Sequence, residues 1–379
     1  MADVYINRIS AFLPNQPVSN DEMEEYLGFI GGEKSKSKRI VLRSNKIEQR
    51  YYALDKEGRT THTNAGMVAT AIRNLFEKAE ELKAVELLAC GTTSPDALLP
   101  SHAVMVHGLL PETSSVEVIS NSGACCSGMQ LFKHAYLSIK AGDKAKVVCA
   151  GSERMSPQMR ASSFEEEMKY LERIEANPYV AFEKDFLRWM LSDGAGAFLL
   201  ENRKNETGLS LKVDWVEICS FANMLETCMY MGAEKDEAGN LIGYQDMTVQ
   251  EVVQKSVLSI KQDVKLLSEN IVGKGFNFLS DLLHKKAIDV SGIDYFLPHM
   301  SSYFFMDKIY EVLKANDIEI PYEKWFVNLK TKGNVGAGSI YIMLEELFNG
   351  GKLTKGQKIL LAVPESARFS YAFSLLTVC

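Results

Sequence analysis

Apolar positions along this chain recur in two rhythms. Short unbroken runs at 85–90, 116–120, 146–150 and 195–200 are rich in Val, Leu, Ala and Cys and are bounded by charged or turn-forming residues. Runs of that length predict buried strands. Between them, stretches 63–82, 101–110 and 128–140 repeat apolar residues three and four apart, the spacing of an amphipathic helix. A long helical stretch at 248–268 leads into a second set. It comprises strand 295–298, helix 303–316, strand 325–329, helix 336–349, and strands 358–363 and 369–378. Strand and helix alternating in this way predict an α/β fold, with helices covering buried sheets.

The two sets are weak copies of one another. The segment from Gly142 through Lys146-Val147-Val148-Cys149-Ala150 to Gly151-Ser152-Glu153 parallels the segment from Lys355 through Lys358-Ile359-Leu360-Leu361-Ala362 to Pro364-Glu365-Ser366. Each is a turn, a strand, and a loop containing Glu and Ser. Thr93 and His299, Cys126 and Asn334, and Lys146 and Lys358 all lie roughly 206 to 212 positions apart. A duplicated fold is expected, with an N-terminal half at 1–208 and a C-terminal half at 209–379. Stretches 157–189 and 209–242 fall outside the repeat. Neither is biased towards Pro or Ser, so both are expected to be ordered insertions.

Composition removes several classes of function. The 379 residues are 46% hydrophobic and 24% charged, as in soluble globular proteins. The net charge of −7, from 42 basic and 49 acidic residues, argues against nucleic acid as a partner. No run reaches the ~18 apolar residues of a membrane span. Met1-Ala2-Asp3-Val4-Tyr5 lacks the basic start of a signal peptide. Cysteines at 90, 125, 126, 149, 219, 228 and 379 show neither CxxC spacing nor a short-loop framework. A reduced, cytoplasmic protein without a metal is expected.

One cysteine pair stands apart. The predicted strand 116–120 runs into Asn121-Ser122-Gly123-Ala124-Cys125-Cys126-Ser127-Gly128-Met129 and then a helix. Cys126 falls at the helix start, where unpaired N–H groups and the helix dipole are expected to lower a thiol pKa and favour the nucleophilic thiolate. The competing reading is two small core residues at a crowded turn. His299, after Pro298, and Asn334, in Lys332-Gly333-Asn334-Val335-Gly336-Ala337-Gly338-Ser339, also follow strands and open helices. Singly they read as a cap and a turn residue. In duplicated units, the three can converge on one pocket.

At these residues the chain resembles the β-ketoacyl-acyl-carrier-protein synthase III family of the thiolase superfamily. Cys126-Ser127-Gly128-Met129 is similar to the family's nucleophile turn, and Asp294-Tyr295-Phe296-Leu297-Pro298-His299 to its histidine motif. Gly333-Asn334 with Ser339 is similar to the asparagine motif, Ser192-Asp193-Gly194-Ala195-Gly196-Ala197 to a shared Gly-rich strand start, and Thr92-Thr93-Ser94 with Pro100-Ser101 to a further shared segment. The resemblance implies a thiolase fold, an α-β-α-β-α sandwich of duplicated halves, assembled as a homodimer. It implies an acyl group carried on Cys126, with His299 and Asn334 binding the second thioester and stabilising its enolate, and the Cys126 backbone N–H serving an oxyanion. Substrates would be coenzyme A or phosphopantetheine thioesters, including those on acyl carrier protein. No tightly bound cofactor is implied.

The same resemblance places Arg43 against coenzyme A, with Arg39 at a neighbouring position that the family fills with tryptophan. Leu99 falls where the family often has a phenylalanine at the dimer contact, closing a short acyl pocket. Leu99 and the 157–189 insertion together suggest room for medium or long chains. Val363-Pro364-Glu365-Ser366-Ala367-Arg368-Phe369 replaces the family's Gly-rich oxyanion loop. It looks like the bacterial enzymes that make dialkylresorcinol or cyclohexanedione precursors, and makes Glu365 a candidate catalytic carboxylate. The alternative is a surface Glu365–Arg368 pair. Carbon–carbon condensation in fatty-acid, polyketide or dialkylresorcinol-type synthesis is the leading expectation. The alternatives are acyl transfer to oxygen or nitrogen, and a non-catalytic synthase partner.

Overall fold

The computed structural model describes residues 2–32, 34–35, 37–173 and 186–379. Its principal strands are β1 (Tyr5–Phe12), β2 (Leu87–Thr92), β3 (Glu117–Ser122), β4 (Lys146–Glu153), β5 (Gly194–Glu201), β6 (Leu211–Ser220), β7 (Tyr295–Pro298), β8 (Lys358–Glu365) and β9 (Ser370–Val378). They hydrogen-bond in the order β7-β8-β9-β6-β1-β5-β4-β2-β3. Two similar leaves lie within this order. In one, β2 runs parallel to β3 and β4, and β5 is antiparallel to β4 and β1. In the other, β7 runs parallel to β8, and β9 is antiparallel to β8 and β6. Among the described residues, the sheet hydrogen bonds between the leaves lie where β1 meets β6, at Tyr5–Lys212 and Ile6–Leu211. The matching strands β4 and β8 start at Lys146 and Lys358 and end at Glu153 and Glu365, the register that the internal repeat predicts.

The helices that matter here are α1 (Lys38–Asn45), α2 (Asn64–Arg73), α3 (His102–Gly108), α4 (Ser127–Ala141), α5 (Glu165–Arg173), α6 (Val264–Lys285), α7 (Phe304–Lys314) and α8 (Ser339–Asn349). α4 and α8 form a central layer, because their apolar residues join side chains of both leaves in one buried cluster. Phe198 of β5 stacks on Tyr341 of α8 at 4.1 Å and meets Phe132 of α4 edge-on at 5.7 Å. Burying each such ring contributes about 1.5–3 kcal/mol. A second cluster holds α2 and α3 against the outer face of the first leaf, and a third holds α6 and α7 against the second. The result is the expected α-β-α-β-α sandwich.

Several expectations change. The 248–268 stretch is not one helix. A short helix, Val249–Gln254, ends before Ser256, whose φ of 46° lies in the left-handed region. Lys261–Gln262 then pairs with Met229–Tyr230, and α6 begins with Asp263 accepting the Leu266 N–H at 2.9 Å. Helical spacing of apolar residues spans that break because both pieces are amphipathic. The 325–329 strand reduces to one bridge, Phe296–Trp325, beside a short helix, Leu329–Lys332. The supposed insertion at 209–242 contains β6, a core strand of the second leaf, so only residues beyond Ser220 are additional. β1 was not anticipated. Its polar Asn7, Arg8 and Ser10 break up the apolar run, yet Asn7 and Ser10 are buried with hydrogen-bond partners.

Candidate active site

The carboxyl ends of the strands carry the chemistry. β3 ends at Ser122, and the chain turns through Gly123 and Ala124 so that Cys126 caps α4. Cys126 is fully buried. Its thiol donates to the Val363 carbonyl at 3.2 Å, and its backbone N–H donates to Glu365 Oε2 at 2.9 Å. The expectation of a lowered thiol pKa is therefore overturned. Burial, and then the neighbouring Glu365 charge, hold the Cys126 thiol well above its ordinary value. The amide that would have stabilised a thiolate already serves a carboxylate.

His299 follows β7, and its N–H donates to the Ala362 carbonyl at 2.8 Å. Cys126, His299 and Glu365 therefore meet along four consecutive residues of β8, Ala362 to Glu365. Burial pushes the His299 imidazole down to about 4, so it is neutral at pH 7 and able to donate a hydrogen bond without carrying charge. Glu365 does not pair with Arg368, whose Nε donates to the Leu225 carbonyl instead. Burial raises the Glu365 carboxyl above the usual range, against the pull of the Cys126 and Ala124 backbone.

Asn334 arrives from another direction. Its N–H donates to the Met190 carbonyl at 3.0 Å, and its carbonyl accepts the Ser192 N–H at 2.9 Å. Its side-chain oxygen accepts the Gly336 N–H at 2.9 Å. The Ser192-Asp193-Gly194 motif thus carries Asn334, while Asp193 ties the motif to Ala53, Met155 and Ser156. The turn after Asn334 lies against α4 and β4. A Cβ at Gly128 would sit 2.6 Å from the Ala337 carbonyl oxygen, and one at Gly151 would sit 2.2 Å from it, so only glycine permits this approach.

Beneath that turn lies a residue to which the sequence argument gave no role. Glu153, at the end of β4, accepts hydrogen bonds from the Thr93 N–H, the Thr93 and Ser94 hydroxyls and the Ala337 N–H. Among the described residues no cation stands beside it, and burial raises its pKa to about 7. The signal was present in the sequence, since the repeat aligns Glu153 with Glu365.

An apolar tunnel opens beside His299 and Cys125. It runs between α6 and α7 over the outer face of the second leaf, past Ile271, Leu279, Phe296, Phe305 and Phe373. The space between its walls is about 840 Å³ with its open mouth included. Leu99 takes no part in it. The loop after β2 runs outward, leaving Leu99 85% exposed. The described residues of the 157–189 stretch do not line it either. Met159, Leu187 and Trp189 pack instead with Met23, Val41 and Met300, and residues 174–185 lie outside the described part. Arg39 and Arg43 are exposed, one turn apart on α1. That helix is anchored by Val41 in the cluster that also holds Met300, the residue after His299. Among the described residues, no group of His, Cys, Asp and Glu is arranged to hold a metal.

Comparison with known proteins bears on the same elements. Residues 283–366 match the family described as 3-oxoacyl-[acyl-carrier-protein] synthase III C terminal, and residues 116–206 match the β-ketoacyl synthase N-terminal domain. By these matches the chain is similar to the synthase III condensing enzymes. It is 25% identical over 371 residues to the β-ketoacyl-[acyl-carrier-protein] synthase III of Anaplasma marginale, covering 97% of each chain. It is 23% identical to that of Clostridium perfringens, covering 92% of each. Among solved structures, this synthase-like chain superposes on OleA of Xanthomonas campestris, determined with bound lauric acid and lauroyl-CoA. The TM-score is 0.74 at 16% identity, with 99% of each chain covered. The AbyA1 tetronic acid condensing enzyme gives a TM-score of 0.73 at 18% identity, also with 99% of each covered.

Proposed function

We propose that this enzyme joins two acyl thioesters by Claisen condensation, with Cys126 carrying the first acyl group. The observation that supports this reading best is the convergence on residues 362–365 of β8, which bind Cys126 through its sulfur and its amide and bind His299 through its backbone. His299, neutral by burial, and Asn334 donate hydrogen bonds to the second thioester's carbonyl and stabilise its enolate. That enolate, from a malonyl- or β-ketoacyl-type thioester, attacks the acyl carbon on Cys126. A carbon–carbon bond forms and the Cys126 thiolate leaves. The tunnel beside Cys125 takes the alkyl chain, whose burial replaces water along its apolar wall.

Arg39 and Arg43 offer a basic face for the phosphates of coenzyme A, or for an acyl carrier protein. The exposed Leu98, Leu99, Met105 and Leu109 offer apolar side chains to a homodimer contact. The repeat places the halves of the chain at 1–208 and 209–379. No helix among the described residues is long and apolar enough to cross a membrane, which accords with a cytoplasmic enzyme. The Glu365-Ser366-Ala367-Arg368-Phe369 loop favours the dialkylresorcinol-type branch, in which Glu365 would deprotonate a β-ketoacyl donor or assist ring closure.

The test is to incubate the enzyme with octanoyl-CoA, digest it and map the adduct by mass. Acyl mass on the Cys126 peptide, lost in Cys126→Ala and retained in Cys125→Ala, is expected. The opposite pattern would reassign the nucleophile.

A further inference from the structure

Glu153 and Glu365 end matching strands, and each accepts a backbone N–H from the start of a helix in the other half: Ala337 for Glu153, and Cys126 for Glu365. They are held very differently. Glu153 sits in a cage of Thr93 and Ser94 donors as well. The loop around Glu365 supplies no such cage: the Ser366 hydroxyl turns to Met229 Sδ and Arg368 Nε to the Leu225 carbonyl. Glu365 therefore rests on the backbone of Cys126 and Ala124, and the proposed acylation needs the Cys126 amide free to hold the oxyanion. One N–H cannot serve both acceptors at full strength.

We propose that Glu365 is a displaceable latch on Cys126. With no thioester bound, its carboxylate occupies the Cys126 amide and keeps the sulfur a buried thiol donating to Val363. An incoming thioester carbonyl takes the amide as the carboxylate swings aside. This rests on Cys126 being the acylated thiol. The displaced carboxylate accepts the thiol proton, and the sulfur's electron pair forms the new bond to the carbonyl carbon. The bond from that carbon to the coenzyme A sulfur breaks. The departing thiolate takes the proton back from Glu365, leaving free coenzyme A thiol and a carboxylate.

The tunnel couples to this latch. Pro364 and Ser366 line it, whereas Glu365, by the alternation of a strand, faces Cys126 on the other side. A chain filling the tunnel therefore presses on the segment that carries the carboxylate. The titratable groups around the pair are Cys125, Glu153, Tyr371 and His299. Cys125 and Tyr371 are pushed up by burial and His299 is pushed down, so none of these supplies a cation at neutral pH to hold Glu365.

The experiment measures alkylation of Cys126 by iodoacetamide from pH 6 to 10 in the full chain, read by peptide mass, for parent, Glu365→Ala and Glu365→Gln. Parent Cys126 should resist. Glu365→Ala should react about tenfold faster at pH 8, the effect of one unit in the thiol pKa. Glu365→Gln should fall between, since its amide keeps an oxygen acceptor but loses the charge. Equal rates and equal pH midpoints in parent and Glu365→Ala, with only the melting temperature lowered, would overturn the latch and leave a structural cap. If the alanine variant does not fold, the glutamine variant decides, and an unchanged midpoint there is equally fatal. A parallel incubation with octanoyl-CoA separates the two readings. No acyl adduct on Cys126 in any variant removes the acyl-carrier role, while the alkylation rates still report on the latch.

Discussion

Glu153 offers a sharp contest between two effects. Its carboxylate accepts hydrogen bonds from backbone and hydroxyl donors, which favours ionisation. It is also fully buried with no cation among the described residues beside it, which favours the proton, and burial prevails at a pKa of about 7 against an ordinary 4.5. A group whose pKa is raised on folding binds its proton more tightly in the folded chain. Its contribution to stability is then complete below about pH 4.5 and is lost as the pH rises through about 7. At ~1.36 kcal/mol per unit, the loss is about 3 kcal/mol. Buried His102 and His299, both lowered to about 4, act with the opposite sign, their contribution being lost as the pH falls from the ordinary histidine value towards 4. The measurement is therefore a difference. Chemical-denaturation midpoints of parent and Glu153→Gln are taken from pH 5 to pH 8, and the parent should lose its advantage steadily with rising pH. A parent that gains on the variant over that range would show that the donor cage prevails and that Glu153 is ionised, and the argument from burial would be refuted.

The remaining predictions concern turnover. Asn334→Ala should impair condensation far more than self-acylation, because its side chain serves the second thioester; a wild-type condensation rate in single-turnover assays would remove the enolate role. Acylation efficiency should climb from acetyl- to octanoyl-CoA by up to ~4-fold per methylene, the equivalent of ~0.8 kcal/mol each. Ile271→Phe, which narrows the tunnel wall, should flatten that series at the long end, and an unaltered profile would place the chain elsewhere. Arg43→Glu should raise KM for coenzyme A thioesters with kcat unchanged and weaken the dependence of KM on salt; an unmoved KM would leave Arg43 a solvated surface residue.

The sequence displays the architecture at the level where its signals are strongest. Unbroken apolar strands such as β4 and β8, and the strand-to-helix turns at Cys126 and His299, follow from short-range pattern and from duplication, whereas a short helix, Leu329–Lys332, stands before Asn334 where a strand was expected. What stayed hidden is set by distant partners. β1 is masked by Asn7 and Ser10, whose burial becomes favourable only when Glu201 and the Ala71 carbonyl are there to receive them. The thiol of Cys126 could be judged from its helix start alone, which pointed to a low pKa. The deciding carboxylate comes from Glu365, far along the chain, and reverses the direction. Leu99, matched to a dimer-contact position, is exposed in the single chain, and the tunnel within the chain is formed by α6 and α7 in the other half, where nothing local marks Ile271 or Leu279 as anything but core.

The seam between the leaves governs how the chain acquires its shape. β1 is made well before its partners, Ala195–Glu201 on one side and Leu211–Lys212 on the other, and α8 closes over it only once residues 339–349 exist. Until those partners exist this strand has no edge to pair with. The inner face of the first leaf stays open still longer, since its core is completed by side chains of the second. Contacts of such long range favour slow folding and exposure to aggregation. The duplication that is so visible in the sequence therefore does not divide the protein into two pieces that fold alone. A fragment of residues 1–208 would present half of the central core to water.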